Sequence, residues 1–434
     1  MPDRNGSGQD TPEKNHFIRE KVVKPSRTRR QIAGRAFALF LVAIIFGIVA
    51  AVSFVVAKPF AQKYLGKETL SESTPVTIPR DEPEIVPTAA PTTAQASTEE
   101  TEAIEDIFQN AMEEYRFSVD DLNTLYGNLR TVTAELEDGL VAVHSVKQET
   151  DWFNNPIENT GTYAGAVIAA TGSELIIMTP KAAVEEADSI EVIFSDGTTA
   201  GGQKKQSDTL TGLAAVSVDI GEWTKEQREQ IKVLELGNSY SVKQGDLVMA
   251  IGSPAGIVGS TDYGFISYIQ KNVPTVDGST RRLHANIMGN AQQGTFLANT
   301  AGQIIGWVIE NSDGAATVAE AVSDYKSVLE MMINGRPVPY VGIIGQEVNV
   351  SMTGDGMPFG IYVMSVEADS PAYNAGIQNG DVVTAIGGKE ISTVKEFQTA
   401  IEGLETGTEV IFTVQRNGRD EYKELEYLIN VGAR

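Results

Sequence analysis

Residues 286–306 read Asn-Ile-Met-Gly-Asn-Ala-Gln-Gln-Gly-Thr-Phe-Leu-Ala-Asn-Thr-Ala-Gly-Gln-Ile-Ile-Gly. A glycine-rich loop leads here into a short apolar run at 303–309. Short apolar runs bounded by glycine-rich turns are typical of β-strands. Further runs of this kind lie at 166–170, 175–179, 190–194, 213–218, 247–251 and 265–269. With no helices between them, the runs predict a mostly β fold, either a sandwich or a pair of barrels.

Composition sets the limits on fold and chemistry. The chain has 434 residues, 41% of them hydrophobic and 21% charged, which suits two or three packed domains. It contains no cysteine, which excludes disulfides, a thiolate nucleophile and cysteine-ligated zinc. No His, Asp and Glu residues have the spacing of a metal site. The sequence therefore predicts no metal and no cofactor.

An uncharged segment at 36–57 predicts a transmembrane helix, since it would span roughly 33 Å as an α-helix. The tail before it, 1–35, is rich in Lys and Arg and is expected to stay in the cytoplasm. The bulk of the chain is then extracytoplasmic, on a single-pass cell-membrane protein. A cleaved signal peptide is the alternative, but its apolar region would be shorter, and Lys58-Pro-Phe60 makes a poor cleavage site.

The region after the membrane segment is strongly acidic, because the chain carries a net charge of −24 while its tail is basic. An acidic surface repels phosphate backbones, so nucleic acid is not expected as a partner. Residues 58–100 are rich in Pro, Thr and Glu and predict a disordered linker. Apolar residues at helical spacing then predict an amphipathic helical segment at 101–129, to pack on the next domain or on another subunit.

Three segments carry a family resemblance: Thr179-Pro-Lys-Ala-Ala-Val184, Thr211-Gly-Leu-Ala214 and Ala291-Gln-Gln-Gly-Thr295. With the turns and strands around them, their order and spacing resemble the HtrA/Deg-type serine proteases over 130–434. The resemblance implies a trypsin-like double β-barrel with a joining helix over 130–335, followed by an α+β PDZ domain over 336–434. The joining helix is expected at 316–334.

The resemblance also implies where a catalytic triad would lie. Ala182 stands at the position of the histidine, Gly212 at that of the aspartate and Gln293 at that of the serine. A carboxamide cannot replace a serine hydroxyl as nucleophile. We therefore expect an inactive homologue, a pseudoprotease with no catalytic residues.

An active HtrA-like serine endopeptidase with a non-standard nucleophile remains the alternative. It would pair Lys181 as base with Ser253 or Ser207, because a lysine with a depressed pKa can act as a base.

The last hundred residues carry PDZ motifs. Tyr340-Val-Gly-Ile343 resembles the family's carboxylate-binding loop, and Ser370-Pro371 with Gly376 predicts a short capped helix. Thr393 can cap a second helix, and Asn417-Gly418 predicts a hairpin. The predicted peptide-binding residues are Tyr340, Val341, Gly342, Ile343, Val394, Phe397 and Ile401.

Such a domain implies binding of peptide or protein carboxyl termini and of unfolded proteins, by addition of a strand beside the loop. The expected role is an adaptor, sensor or scaffold in quality control of the cell envelope. The resemblance also implies a homo-trimer, or a hetero-oligomer with active HtrA-like proteases. The alternative is that the PDZ domain only docks against its own barrel.

Overall fold

The structure is a computed structural model that describes residues 75–82, 118–150, 156–287, 291–309, 316–353, 356–418 and 421–434. The predicted tail at 1–35, the predicted transmembrane segment at 36–57 and most of the predicted linker lie outside these residues. Within the described ranges, no helix is both long and apolar enough to cross a bilayer.

The first barrel is closed and has six antiparallel strands in the order β1-β2-β3-β6-β5-β4. Strands β3 and β6 are almost wholly buried, which explains why they read as continuous apolar runs in the sequence. The strands are β1 (Leu140–Thr150), β2 (Pro156–Ala170), β3 (Glu174–Pro180), β4 (Ser189–Phe194), β5 (Thr199–Asp208) and β6 (Leu213–Asp219). A 3₁₀ turn, Lys181–Ala183, follows β3, and the short helix α2 (Lys225–Gln230) follows β6.

The second barrel is also closed, with the order β10-β11-β12-β9-β8-β7. Its strands are β7 (Leu247–Gly252), β8 (Ser260–Thr275), β9 (Gly278–Ala285), β10 (Phe296–Ala298), β11 (Ile304–Trp307) and β12 (Thr317–Ala321). The mostly β expectation is confirmed, and the fold is a pair of barrels, not a sandwich.

The helix α1 (Val119–Glu137) precedes the first barrel. Ser118 caps it through a capping box with Asp121. Its buried side chains include Leu129 and Leu136, while Leu125, one turn before Leu129, is exposed. The helix therefore continues beyond the predicted segment at 101–129, and 101–117 lies outside the described residues.

Residues 75–82, which we call the strap, differ from the predicted disordered linker. They form neither helix nor strand and lie against the joining helix α3 (Lys326–Ile333), where the Ile78 amide donates to Glu330 Oε2 at 3.0 Å. The Val76 amide donates to Asn334 Oδ1 at 2.9 Å, and Ile78 is 9% exposed. The prediction of disorder is therefore wrong for the strap. Ile78 is buried, and the Val76 amide is hydrogen bonded to Asn334, which lies 258 residues away in the sequence.

The prediction of a helix over 316–334 is correct only for its second half. Thr317–Ala321 is strand β12, which pairs with β9 and β11 and closes the second barrel. A 3₁₀ turn, Val322–Asp324, follows it, and α3 takes up the rest. The spacing of the apolar residues in this stretch is compatible with an α-helix and with a β-strand. Residues 317–321 form a strand because they pair with two neighbouring strands.

The PDZ domain is an antiparallel sheet in the order β14-β15-β16-β18-β19, with β17 paired to β16 and the pair β13-β20 separate. The strands are β13 (Pro339–Tyr340), β14 (Ile343–Glu347), β15 (Ile361–Val366), β16 (Val382–Ile386), β17 (Lys389–Glu390), β18 (Glu409–Asn417), β19 (Tyr422–Asn430) and β20 (Gly432–Ala433). The helices are α4 (Val350–Thr353), α5 (Pro371–Ala375) and α6 (Val394–Glu402).

The predicted caps of the PDZ helices are confirmed. Ser370 caps α5, Pro371 is its first residue, and Gly376 ends it in the left-handed conformation. Thr393 caps α6 through a capping box with Glu396. These local signals position α5 and α6 on the sheet.

Candidate functional site

The three positions that correspond to a triad lie close together. The Lys181 amide, beside Ala182, donates to the Gly212 carbonyl at 2.8 Å. Gln293 Nε2 donates to the Ile309 carbonyl at 2.6 Å. A Cβ built on Gly212 would lie 3.6 Å from the Ile309 side chain. The structure thus brings Ala182, Gly212 and Gln293 to one place between the barrels.

The turn that carries Gly212 is held from both barrels. Thr211 donates its amide to the buried carboxylate of Asp208 at 2.8 Å, and its carbonyl accepts from Trp307 Nε1 at 2.9 Å. Gly212 itself has φ +67°, a left-handed conformation that favours glycine. Ala182 is exposed and lines an open cleft with Ser145 and Tyr163.

Lys181 is the base in the alternative enzyme mechanism, in which it would pair with Ser253 or Ser207. In the structure its partners are other residues. Its ammonium donates to Thr209 Oγ1 at 3.1 Å and pairs with Glu185 at 2.9 Å. An ammonium paired with a carboxylate has no free lone pair to accept a proton. Ser253 is 3% exposed, and its carbonyl accepts from the Gln292 amide at 3.3 Å.

A second site lies at the carboxylate loop, residues 340–343, where three backbone amides converge on one carboxylate. Val341 N lies 2.7 Å from Asp277 Oδ2, Ile343 N lies 2.9 Å from Oδ1, and Gly342 N lies 2.9 Å from Oδ1. Gly342 has φ +92°, and a Cβ there would come within 2.2 Å of Ser370 Cβ. Only glycine fits at this point of the loop.

Asp277 belongs to the second barrel. It lies in the tip of the β8–β9 hairpin, residues 275–278, which we call the hairpin tip. Its amide donates to the Ile343 carbonyl at 2.7 Å, and Val276 forms an antiparallel bridge with Ile344. The hairpin tip therefore lies along the free edge of β14 as an added strand.

Electrostatics in this site are governed by burial. Burial raises the pKa of the Asp277 carboxyl, and the amide hydrogen bonds together with the positive charge of Arg434 oppose this rise. Arg434 in turn pairs with Asp208 at 2.9 Å. Glu402 on α6 also has its pKa raised by burial.

The predicted peptide-binding residues have different positions. Val341, Gly342 and Ile343 supply the amide donors, whereas the Tyr340 hydroxyl donates to Glu367 at 3.1 Å. On α6, Phe397 is buried in the PDZ core, Val394 packs at its edge, and Ile401 lines a small cavity beside the hairpin tip.

Two residues of this site were missed. Gln398 faces Gly278, where a Cβ would lie 2.7 Å from its Oε1, and Asp277 fills the loop. The pattern Val276-Asp-Gly278 marks a turn in the sequence, but nothing local indicates that its carboxylate reaches a loop 64 residues away.

Comparison with known proteins identifies both domains. The trypsin-like peptidase domain model matches residues 162–306, and the PDZ domain model matches 342–426. The serine protease Do-like HtrA of Bacillus subtilis (strain 168) is 25% identical over 335 residues, covering 71% of this chain and 71% of that protein. The Do-like HtrA of Lactobacillus helveticus is 25% identical over 290 residues, covering 62% and 68%. Together, these domains and relatives support an HtrA-type protease family for the chain.

Solved structures show the same fold. The HtrA-type protease AlgW with a decapeptide superposes with a TM-score of 0.50 at 20% identity, covering 70% of this chain and 98% of AlgW. At this identity the likeness shows the fold alone.

These relatives correct one expectation. The prediction that the chain is not an enzyme is contradicted, because the HtrA relatives that it matches over both domains are named serine proteases. That Ala182, Gly212 and Gln293 stand at the three triad positions is what the sequence resemblance implies, and it stays a prediction.

Proposed function

We propose that this chain is a membrane-anchored, extracytoplasmic HtrA-type protein whose PDZ domain binds the carboxyl termini of peptides and unfolded proteins. One observation carries the proposal: three convergent backbone amides of the carboxylate loop hold a carboxylate. Backbone amides that point at one spot form a site for an anionic oxygen pair. The uncharged segment at 36–57 supports the anchor.

The geometry of the hairpin tip indicates how a peptide would lie. Its terminal carboxylate would take the place of the Asp277 carboxylate, and its last amide would donate to the Ile343 carbonyl. The chain would pair with β14, and its terminal side chain would enter the space beside Gln398 and Ile401. The structurally similar AlgW was solved with a decapeptide, which supports peptide binding in general.

In this proposal the protein acts as a sensor, adaptor or scaffold in envelope protein quality control. It does so as a homo-trimer, or as a hetero-oligomer with active HtrA-like proteases. In the sequence, the strap and α1 lie between the proposed anchor at 36–57 and the barrels.

The test uses full-length protein purified in mild detergent. Fluorescein-labelled decapeptides ending in Val, Leu or Phe are titrated with a free or an amidated carboxyl terminus. We expect binding of the free carboxylates and a loss of at least tenfold on amidation, since the charged acceptor of three hydrogen bonds is removed. Equal affinity for both forms would contradict carboxylate recognition.

Peptide hydrolysis by the double barrel is the second candidate function, favoured by the named serine proteases among the relatives. Thr209 Oγ1 accepts a hydrogen bond from the Lys181 ammonium, so this hydroxyl is tested beside Ser253, and the lysine would have to lose its proton before it could act as base. Degradation of unfolded casein is measured for the full-length protein and for Lys181→Met, Thr209→Val and Ser253→Ala. Cleavage that is lost in one variant identifies its residue, and a mass-spectrometric search for a covalent adduct tests the nucleophile.

The control for this assay is Lys225→Met, which removes an exposed lysine that pairs with Glu229 on α2. Cleavage that survives all of the substitutions would point to a contaminating protease. Absence of cleavage by the full-length protein would leave peptide binding as its function.

A further inference from the structure

The peptide groove of the PDZ domain is already filled by the protein itself. The hairpin tip of the second barrel supplies a carboxylate to the loop, an amide to the Ile343 carbonyl and a bridge to Ile344. These are the three kinds of contact that an extended peptide makes when it adds a strand to a sheet edge. Asp277 thereby occupies the place of a terminal residue, with its side-chain carboxylate in place of a chain terminus.

The contact between Asp277 and the carboxylate loop is buried and extensively hydrogen bonded. Asp277 is 5% exposed and has φ +60°, a left-handed conformation that turns the hairpin so that its carboxylate faces the loop. Four amide contacts of 2.7–3.1 Å come from three consecutive residues. A carboxylate that is removed from water is stable only when its oxygens are hydrogen bonded, and this loop provides those bonds.

One set of amides cannot hold two carboxylates. We propose that the hairpin tip is an intramolecular competitor that closes the PDZ groove, so that a peptide binds only after it displaces Asp277 from the carboxylate loop. This inference rests on the proposed function and adds its regulation. The apparent affinity for a peptide is lowered by the fraction of molecules in which the groove is open.

Displacement of the hairpin tip would also loosen the PDZ domain from the barrels. Gln398 on α6 donates to the Asp324 carbonyl at 3.1 Å, beside the hairpin. Arg434 pairs with Asp208, whose carboxylate accepts from Thr211 in the turn of Gly212. Because the same face of the PDZ domain meets the peptide and the barrels, a ligand that favours the open groove favours release of these contacts as well.

Asp277→Gly and Asp277→Asn test the competition in the full-length protein. Glycine adopts the left-handed backbone readily and removes the carboxylate, while asparagine tolerates that backbone and removes only the charge. The matched control is Asp196→Gly, in the tip of another hairpin, where Asp196 hydrogen bonds to Thr198. The probes are the labelled decapeptides with free and amidated termini.

We expect Asp277→Gly to bind the free-carboxylate peptides at least tenfold more tightly than the natural protein, with Asp277→Asn between them and Asp196→Gly unchanged. Hydrogen exchange supplies a readout that needs no peptide. The amides of Val341, Gly342 and Ile343 should exchange slowly in the natural protein and faster in Asp277→Gly.

The outcomes separate the two proposals. Equal peptide affinity of the natural protein and Asp277→Gly overturns the competition and leaves peptide binding intact. Fast exchange of the three loop amides in the natural protein overturns it too. Absence of binding by both proteins overturns the proposed function, and the competition with it.

Discussion

The ammonium of Lys326 lies 2.8 Å from the carboxylate of Asp81, and only 4% of the lysine side chain is exposed. This ion pair joins the strap to the first residue of α3. Asp81 also accepts from Ser323 Oγ at 2.6 Å, so both partners are held. The strap lies within the predicted linker but is therefore part of the folded unit. It is attached to α3, the helix that joins the barrels to the PDZ domain.

Removal of one member of this pair is expected to be costly. Asp81→Ala leaves a buried ammonium without its carboxylate, and loss of a partner from a buried pair lowers the free energy of unfolding by about 3–5 kcal/mol. Arg80→Ala is the control, since Arg80 pairs with Glu330 but is half exposed, and an exposed pair contributes about 1 kcal/mol or less. Urea unfolding of both variants measures the difference, and equal losses would show that the strap is not anchored by Asp81.

Gly342 should be indispensable for peptide binding. In Gly342→Ala the new Cβ meets Ser370 at 2.2 Å and the residue must keep φ +92°, so the loop amides lose their common direction. Gly380→Ala is a matched control, because Gly380 also has φ +92° but open space around its Cβ position. We expect at least tenfold weaker binding of free-carboxylate peptides by Gly342→Ala only. Similar losses in both would assign the effect to backbone strain alone.

The Glu396 carboxyl, which belongs to the capping box of α6, should titrate at unusually low pH. Hydrogen bonds from the backbone and hydroxyl of Ser392, and from the Thr393 backbone, lower the pKa of Glu396 from 4.5 to about 2. A lowered pKa in the folded state means that the cap stabilises the helix above pH 4.5 and is lost as the pH falls toward about 2.

NMR titration of the Glu396 carboxyl measures this pKa directly. Exchange of the first amides of α6 should quicken over the same pH range, and Glu396→Gln should remove that pH dependence. A midpoint near 4.5 would show that the capping box does not persist in solution.

Trp307 should stabilise the turn of Gly212. Trp307→Phe keeps an aromatic ring beside Tyr325 but leaves the buried Thr211 carbonyl without its donor. A buried acceptor left unsatisfied costs about 1–3 kcal/mol. Thermal unfolding should show this loss, while Trp223→Phe, at a half-buried residue that packs on Phe194, should lose less.

Much of the architecture could be read from local patterns. The apolar runs predicted β-strands such as β3 and β6, and Ser370 and Thr393 predicted the starts of two helices. Each of these signals depends on neighbours within a few residues. The strand Thr317–Ala321 was mistaken for helix because its apolar residues suit either period, and only its pairing with β9 and β11 resolves it.

The sequence by itself determined the β-barrel and PDZ elements and their order along the chain, and its resemblance to the family predicted Ala182, Gly212 and Gln293 at the three triad positions. Only the tertiary structure decided that these positions meet near Ile309, that the strap packs on α3 and that Asp277 fills the carboxylate loop. The physical reason is distance along the chain: turns, caps and alternation are local, whereas Asp277 and Val341 are 64 residues apart. Their contact exists because the second barrel and the PDZ domain pack together.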